Sequence, residues 1–178
     1  MKLLKEFQAI FLDFDGVIKD SVEIKSNAFE QLFLPFGDIV ANRVRMHHED
    51  HTGMSRFDKL PIYLQWAGLP ISTSLMDEFS NNFSLLVKRN VINSPWVDGL
   101  LNFLNYPHDG QLFFLVTATP QLEIEEILFE LDIYDHFEQI IGSPTVKGES
   151  IKMLLDKYKV DIKRAVMVGD SKSDYEAA

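Results

Sequence analysis

The chain has 178 residues, enough for one full domain plus a sizeable insertion or for two small domains. A formal net charge of −10 and a pI near 4.9 argue against a nucleic-acid backbone or an anionic membrane surface as partner, because no basic patch could offset the repulsion. The absence of cysteine excludes disulfides, thiolate chemistry and cysteine-ligated metals, and a hydrophobic fraction of 46% with 14 phenylalanines indicates a well-filled globular core.

Met1 to Glu6 carries two lysines, but the apolar run behind it is short and meets Asp13 at once, so it does not read as a signal peptide. No run approaches a membrane span, and a cytoplasmic location is expected. Ala9 to Leu12 is a short uncharged apolar run, the pattern of a buried strand in a parallel sheet covered on both faces. Extended chain alternates sides, so Asp13 and Asp15 behind it project the same way. Two like charges at one strand mouth repel unless a cation sits between them. The pair reads either as such a site or as two solvated turn aspartates before Gly16.

From Asp20 to Trp96 the apolar residues follow helical spacing: Phe29, Leu32, Phe33 and Phe36, then Leu60, Tyr63, Leu64 and Ala67, then Phe79, Phe83, Leu86 and Val87. Asp20 followed by Glu23 has the form of a capping box. Residues 20–96 are therefore expected to form a helical insertion overhanging the Asp13/Asp15 mouth. Within it His47 and His51 would share a helix face, but no matching third ligand is evident, so His47, His48 and His51 are read as a surface cluster, substrate-facing at most, rather than a zinc site.

Beyond the insertion, helical patterns (Val97, Leu100, Leu101, Leu104; Ile124, Ile127, Leu128, Leu131; Ile151, Leu154, Leu155, Tyr158) alternate with strand-like runs at Gln111–Thr117, Phe137–Ile141 and Ala165–Val168. Thr119 is placed to cap the second of these helices, with Pro120 at its first position. Alternating strands and helices predict a doubly wound, Rossmann-like parallel sheet, which binds ligands at the carboxyl ends of its strands. Four such ends carry polar signatures: Asp13 and Asp15; Thr117 with Ala118 and Thr119; Lys147; and Asp170 with Asp174.

The motif order DxDG, hydrophobic-Thr, Lys, GDxxxD resembles the haloacid dehalogenase-like superfamily, specifically its phosphoglycolate phosphatase and β-phosphoglucomutase branch with a small helical cap after the first motif. The resemblance spans nearly the whole chain. It implies an α/β core from residues 1–19 and 97–178, a cap from residues 20–96, and a Mg²⁺-dependent phosphatase acting on a small phosphorylated metabolite. Asp13 would be the nucleophile, Asp15 the general acid and base, and Thr117 and Lys147 would hold the transferring phosphoryl group with the amides of Ala118 and Thr119. Asp13, the carbonyl of Asp15, Asp170 and Asp174 would surround the ion. Gly53-Met54-Ser55-Arg56 is similar to the branch's cap loop, which gives Arg56 a distal anion to clamp, and Lys25 would add positive charge at the hinge.

Three features depart from the family pattern. Lys147 precedes Gly148 where proline is common. Lys25 stands where the sugar-phosphate mutases carry histidine, which speaks against a mutase. The chain stops at Ala178, where the family continues with more helix and at least one strand, so a truncated core with an exposed face beside the fourth strand is expected, as a monomer or weak homodimer. A signalling receiver shares the aspartates, threonine and lysine, but not an insertion in the first crossover. A non-catalytic relic is the remaining alternative.

Overall fold

The structure is a computed structural model that describes residue 4 and residues 6–105 and 110–178. Of the lysine-bearing N-terminal stretch, only Leu4 and Glu6 lie within the described residues. Strands β1 (Ala9–Leu12), β2 (Leu112–Pro120), β3 (Gln139–Ser143) and β4 (Ala165–Val168) pair in parallel in the order β3-β2-β1-β4. With a neighbour on each side, β1 is buried along its whole length, which is why it is uncharged. Ile10 and Leu12 enter one apolar cluster, and Ala9 and Phe11 the other.

Helices cover both faces, as the alternation predicts. On the first, α5 (Leu100–Asn105) and α6 (Gln121–Glu130) bury Leu100, Phe103, Ile124, Ile127 and Leu128. On the second, α7 (Lys147–Tyr158) buries Ile151, Leu154 and Leu155, and α8 (Lys172–Ala177) follows β4. The crossovers carry every strand in the same direction, so the carboxyl ends of all the strands open on one side of the sheet.

Between β1 and β2 lie α1 (Val22–Phe33), α2 (Asp38–Asp50), α3 (Arg56–Trp66) and α4 (Thr73–Asn93). Their apolar stripes meet around Phe29, whose ring stacks on Phe83 at 3.9 Å and meets Tyr63 edge-on at 5.4 Å. This aromatic centre is continuous with Ile10, Leu12 and Phe14. The two ends of the insertion are bonded to each other: the Asp20 amide donates to the Pro95 carbonyl at 2.9 Å, and that of Val97 to Ile18 at 3.1 Å. Lys19 lies beside them with its Nζ 4.3 Å from the centre of the Trp96 ring, donating to the Ile92 carbonyl at 3.0 Å.

Several element starts differ from expectation. Ser21, not Asp20, precedes α1, and its hydroxyl serves Asp15 instead of the helix amides. Strand β2 runs on to Pro120, which pairs with Ser143 after a register shift, so Thr119 is a strand residue and Pro120 itself caps α6. Strand β3 falls at Gln139–Ser143 rather than 137–141. Helix α5 begins only at Leu100, because Gly99 before it has a φ of +80°, outside the right-handed helical region.

Phe29→Ala empties the centre of the aromatic cluster. Urea unfolding is expected to show a loss of roughly 3–5 kcal/mol with an unchanged slope.

Candidate functional site

Asp13 sits where β1 ends, its amide bonded to the Val168 carbonyl of β4 at 3.0 Å and its carboxylate buried. One carboxylate oxygen accepts from the Phe14 amide at 2.6 Å. The other accepts from Lys147 Nζ at 2.5 Å, and the same ammonium reaches Asp174 Oδ1 at 2.5 Å. The first residue of α7 thus joins carboxylates from opposite ends of the chain. Burial alone would lower the lysine's pKa, but the charges and hydrogen bonds of Asp13 and Asp174 outweigh it and hold the ammonium charged. Asp13 is shifted upward, first by burial and then by the Asp174 and Asp15 charges, against the pull of Lys147.

Asp174 is the third residue of α8: its Oδ2 accepts from the Ser171 amide at 3.1 Å and hydroxyl at 2.5 Å, while Ser171 caps the helix. Both its oxygens are therefore occupied. Asp170, more exposed, makes no hydrogen bond or ion pair to another described residue, and burial with the nearby Asp174 and Asp15 charges raises its pKa. Gly16 makes its approach possible, since a Cβ at this position, where φ is +73°, would stand 2.1 Å from Asp170 Oδ2.

One carboxylate oxygen each from Asp13, Asp170 and Asp174 lies within 4.8 Å of the others. Two oxygens on opposite sides of one Mg²⁺ are separated by about 4.2 Å, so this hard, all-oxygen set fits that ion. Of the three, Asp170 alone has no competing partner among the described residues, since both oxygens of Asp13 and both of Asp174 already accept hydrogen bonds.

Asp15 belongs to a second group. Ser21 donates to its Oδ1 at 2.6 Å, and Lys25 Nζ contacts its Oδ2 while also donating to Thr119 Oγ1 at 2.9 Å. Burial would raise this carboxyl, yet Lys25 and Ser21 together bring it below its ordinary value. Thr117 is buried at the β2 end and its hydroxyl accepts from the Thr119 amide at 3.3 Å, with Ala118 between them. Thr117 and Ala118 line a cleft of about 270 Å³ with Gly53, Ser55, Lys147 and Ser173.

Arg56, expected to face a substrate, is buried. Its NH2 donates to Glu123 Oε1 at 2.5 Å and its NH1 to Glu123 Oε2 at 3.0 Å and Ser84 Oγ at 2.6 Å. This forked pair joins α3 to α6. Glu123 gave no sign in the sequence, where it reads as one acid on a charged helix. The histidine cluster is also different from expectation. His48 is buried against Phe29 and faces Lys59 Nζ at 2.7 Å, whereas His47 reaches Tyr63 at 3.1 Å and stacks on His51. Ser173 completes the joint, donating to the Gly53 carbonyl at 3.2 Å.

A buried strand-end carboxylate, a buried lysine paired with it and a cluster of carboxylate oxygens at the carboxyl ends of a doubly wound parallel sheet are the features of an α/β hydrolase class. The chain belongs to the haloacid dehalogenase-like hydrolase family, whose model matches residues 10–178. It is 28% identical over 183 residues to the phosphorylated carbohydrates phosphatase of Thermotoga maritima, covering 96% of this chain and 80% of that protein. It is 23% identical to the phosphoglycolate phosphatase of Photorhabdus laumondii subsp. laumondii, covering 99% of this chain and 78% of that one. In fold it resembles a predicted phosphoglycolate phosphatase from Haemophilus somnus 129pt (TM-score 0.74, 19% identity, 97% of this chain and 80% of that one). It also resembles a haloacid dehalogenase-like hydrolase from Streptococcus pneumoniae (TM-score 0.67, 18% identity, 97% and 80%). The receiver alternative is thereby set aside.

Two outcomes follow from the buried pairs. Arg56→Met strands the Glu123 carboxylate and is expected to cost about 3–5 kcal/mol in urea unfolding, most of it recovered in Arg56→Met/Glu123→Met. His48 is pushed down to about 2, first by burial and then by Lys59, so below the ordinary histidine value the unfolded chain binds a proton that the fold does not. Its contribution is lost as pH falls through that window, by about 1.4 kcal/mol per pH unit. Asp13, shifted the other way, opposes this trend. The measurement is therefore the difference between wild type and His48→Asn, and the wild type is expected to lose the more stability between pH 7 and pH 5.

Proposed function

We propose that this chain is a Mg²⁺-dependent phosphatase that hydrolyses a small phosphate monoester through an aspartyl-phosphate on Asp13, with residues 1–19 and 97–178 as its core and residues 20–96 as its cap. The observation that carries this reading is the buried Asp13–Lys147–Asp174 cluster with Asp170 close enough to share an ion. The named relatives act on phosphorylated carbohydrates and on phosphoglycolate, which supports a phosphorylated metabolite as substrate.

A phosphate monoester is a dianion and repels a carboxylate, so the site must neutralise charge before it can align the reactants. Mg²⁺, when bound to Asp13, the Asp15 carbonyl and Asp170, supplies part of that neutralisation. Lys147 supplies the rest on the nucleophile's side, with Asp174 fixing the ammonium in place. Asp13 Oδ attacks phosphorus as the bond to the leaving oxygen breaks, and Asp15 gives that oxygen its proton. Water then attacks the same phosphorus, Asp15 takes the proton back, and the carboxylate of Asp13 leaves with both its oxygens. Lys25 and Ser21 hold Asp15 ionised at rest, the form that accepts a proton from water. The acid form of the first step needs Lys25 drawn towards the incoming phosphate oxygens. Thr117 and the amides of Ala118 and Thr119 would bind those oxygens, the Thr119 amide giving up its bond to Thr117 Oγ1.

Release of phosphate from p-nitrophenyl phosphate in Mg²⁺ tests this. Asp13→Asn is expected to abolish it, Asp15→Asn to lower kcat by about 10²–10⁴, and a chelator to suppress it until Mg²⁺ is restored. Equal slow release by wild type and Asp13→Asn would leave the relic alternative standing.

A further inference from the structure

Strand β3 ends at Ser143, and its pairing with β2 is interrupted just before that residue. Val116 pairs with Ile141 and Pro120 with Ser143, so Thr117, Ala118 and Thr119 of β2 stand against Gly142 alone. A bulge of this kind breaks the regular alternation of side chains, and bulges recur beside active sites because they re-aim a residue. Gly142 permits the close approach of the two strands, since a Cβ there would fall 2.5 Å from the Thr119 carbonyl oxygen. Ser143 thereby lines the cleft of about 270 Å³ that Thr117 and Lys147 also line. No motif read from the sequence includes it.

Ser143 is only 4% exposed, and its Oγ is the one enclosed side-chain oxygen or nitrogen among the described residues that lacks a hydrogen-bond partner. Two other serines of the cleft are engaged: Ser55 accepts from the Phe57 amide at 3.3 Å, and Ser173 donates to the Gly53 carbonyl. A hydroxyl taken out of water with no partner destabilises a fold, and alanine would fill the position without that penalty. A serine there makes physical sense if its partner arrives with a ligand.

The neighbouring groups indicate the chemistry of that partner. Lys147 has three N–H groups and gives two of them to Asp13 and Asp174. The Thr117 hydroxyl accepts from the Thr119 amide and keeps its own proton to donate. With Ser143, donors from β2, β3 and α7 therefore line one cleft. The ammonium would repel a cation, and a single carbonyl oxygen could not satisfy donors on three segments. A tetrahedral oxyanion can, because each of its several oxygens accepts more than one bond.

We infer that Ser143 is a phosphate-binding residue, its hydroxyl donating to an oxygen of the phosphoryl group that Thr117 and Lys147 also hold. This rests on the phosphatase reading above for the identity of the anion. The oxygens it serves are present in the ester and in free phosphate alike. Its loss therefore raises KM more than it lowers kcat.

Calorimetric titration with inorganic phosphate in Mg²⁺ tests the inference without turnover, on wild type, Ser143→Ala and Ser143→Cys. Cysteine keeps the shape of the side chain but donates only weakly, and the chain has no other cysteine to pair with it. Both variants are expected to bind phosphate about tenfold more weakly than wild type, as for a lost bond to a charged oxygen. KM for p-nitrophenyl phosphate is expected to rise by a similar factor, with kcat changed by less than about threefold. Urea unfolding in the absence of phosphate separates binding from a structural role: Ser143→Ala removes a hydroxyl that bonds nothing, so it is expected to be at least as stable as wild type. A less stable Ser143→Ala, unchanged phosphate affinity in it, wild-type affinity in Ser143→Cys, a loss confined to kcat, or no phosphate binding by wild type would overturn the inference. If wild type does not hydrolyse p-nitrophenyl phosphate, the phosphatase reading fails, and the phosphate titrations still decide the role of Ser143.

Discussion

The site depends on one ammonium held between two carboxylates. Lys147 is the first residue of α7, where the helix dipole disfavours a cation, and it is almost fully buried. Both penalties are tolerated because Asp13 and Asp174 flank it at hydrogen-bonding distance. The two acids need the lysine as much as it needs them, since together they would repel in a space from which water is largely withdrawn. Bonds spanning 134 and 27 residues of sequence draw the end of β1, the start of α7 and the turn before α8 to one point. The convergence that lets Asp170 face Asp13 is therefore a consequence of charge balance as much as of sheet topology.

A second layer of polar contacts ties the helical insertion to that point. Lys25 spans from α1 to Asp15 and Thr119, Arg56 from α3 to Glu123, and Ser173 from α8 to the Gly53 carbonyl. Arg56 and Glu123 are both buried and satisfy each other through two bonds, so neither charge is free to act on a ligand. The close approach at Gly53 has a steric side as well. A Cβ there would fall 2.0 Å from Ser173 Oγ, so any larger residue would push the insertion away from the sheet. Packing and charge thus agree on the same seated arrangement.

The fold was legible because its signals are local. An uncharged run such as Ala9–Leu12 and the stripe Phe29, Phe33 carry their period within a few residues, and burial on the corresponding faces follows directly. Asp13, Asp15, Lys147 and Asp170 could be singled out because they stand at ends of such elements. Element starts were less legible, since the competing partner lies elsewhere in the chain. Ser21 gives its hydroxyl to Asp15 and leaves its helix uncapped, and Thr119 stays in the strand because Pro120 pairs with Ser143. The environments of Arg56, His48 and Lys59 were the least legible. Arg56 read as facing a substrate and His48 as part of a surface cluster, Lys59 carries no local sign of burial, and only tertiary packing turns the three inward. Glu123, 67 residues from its partner, has no local signature at all.

The joined linkers at Asp20 and Val97 also determine how the helical segment is anchored. Two chain crossings tied side by side, with Lys19 wedged against Trp96, cannot be displaced independently, so lengthening or shortening either linker would shift both ends of the helical segment relative to the strand termini.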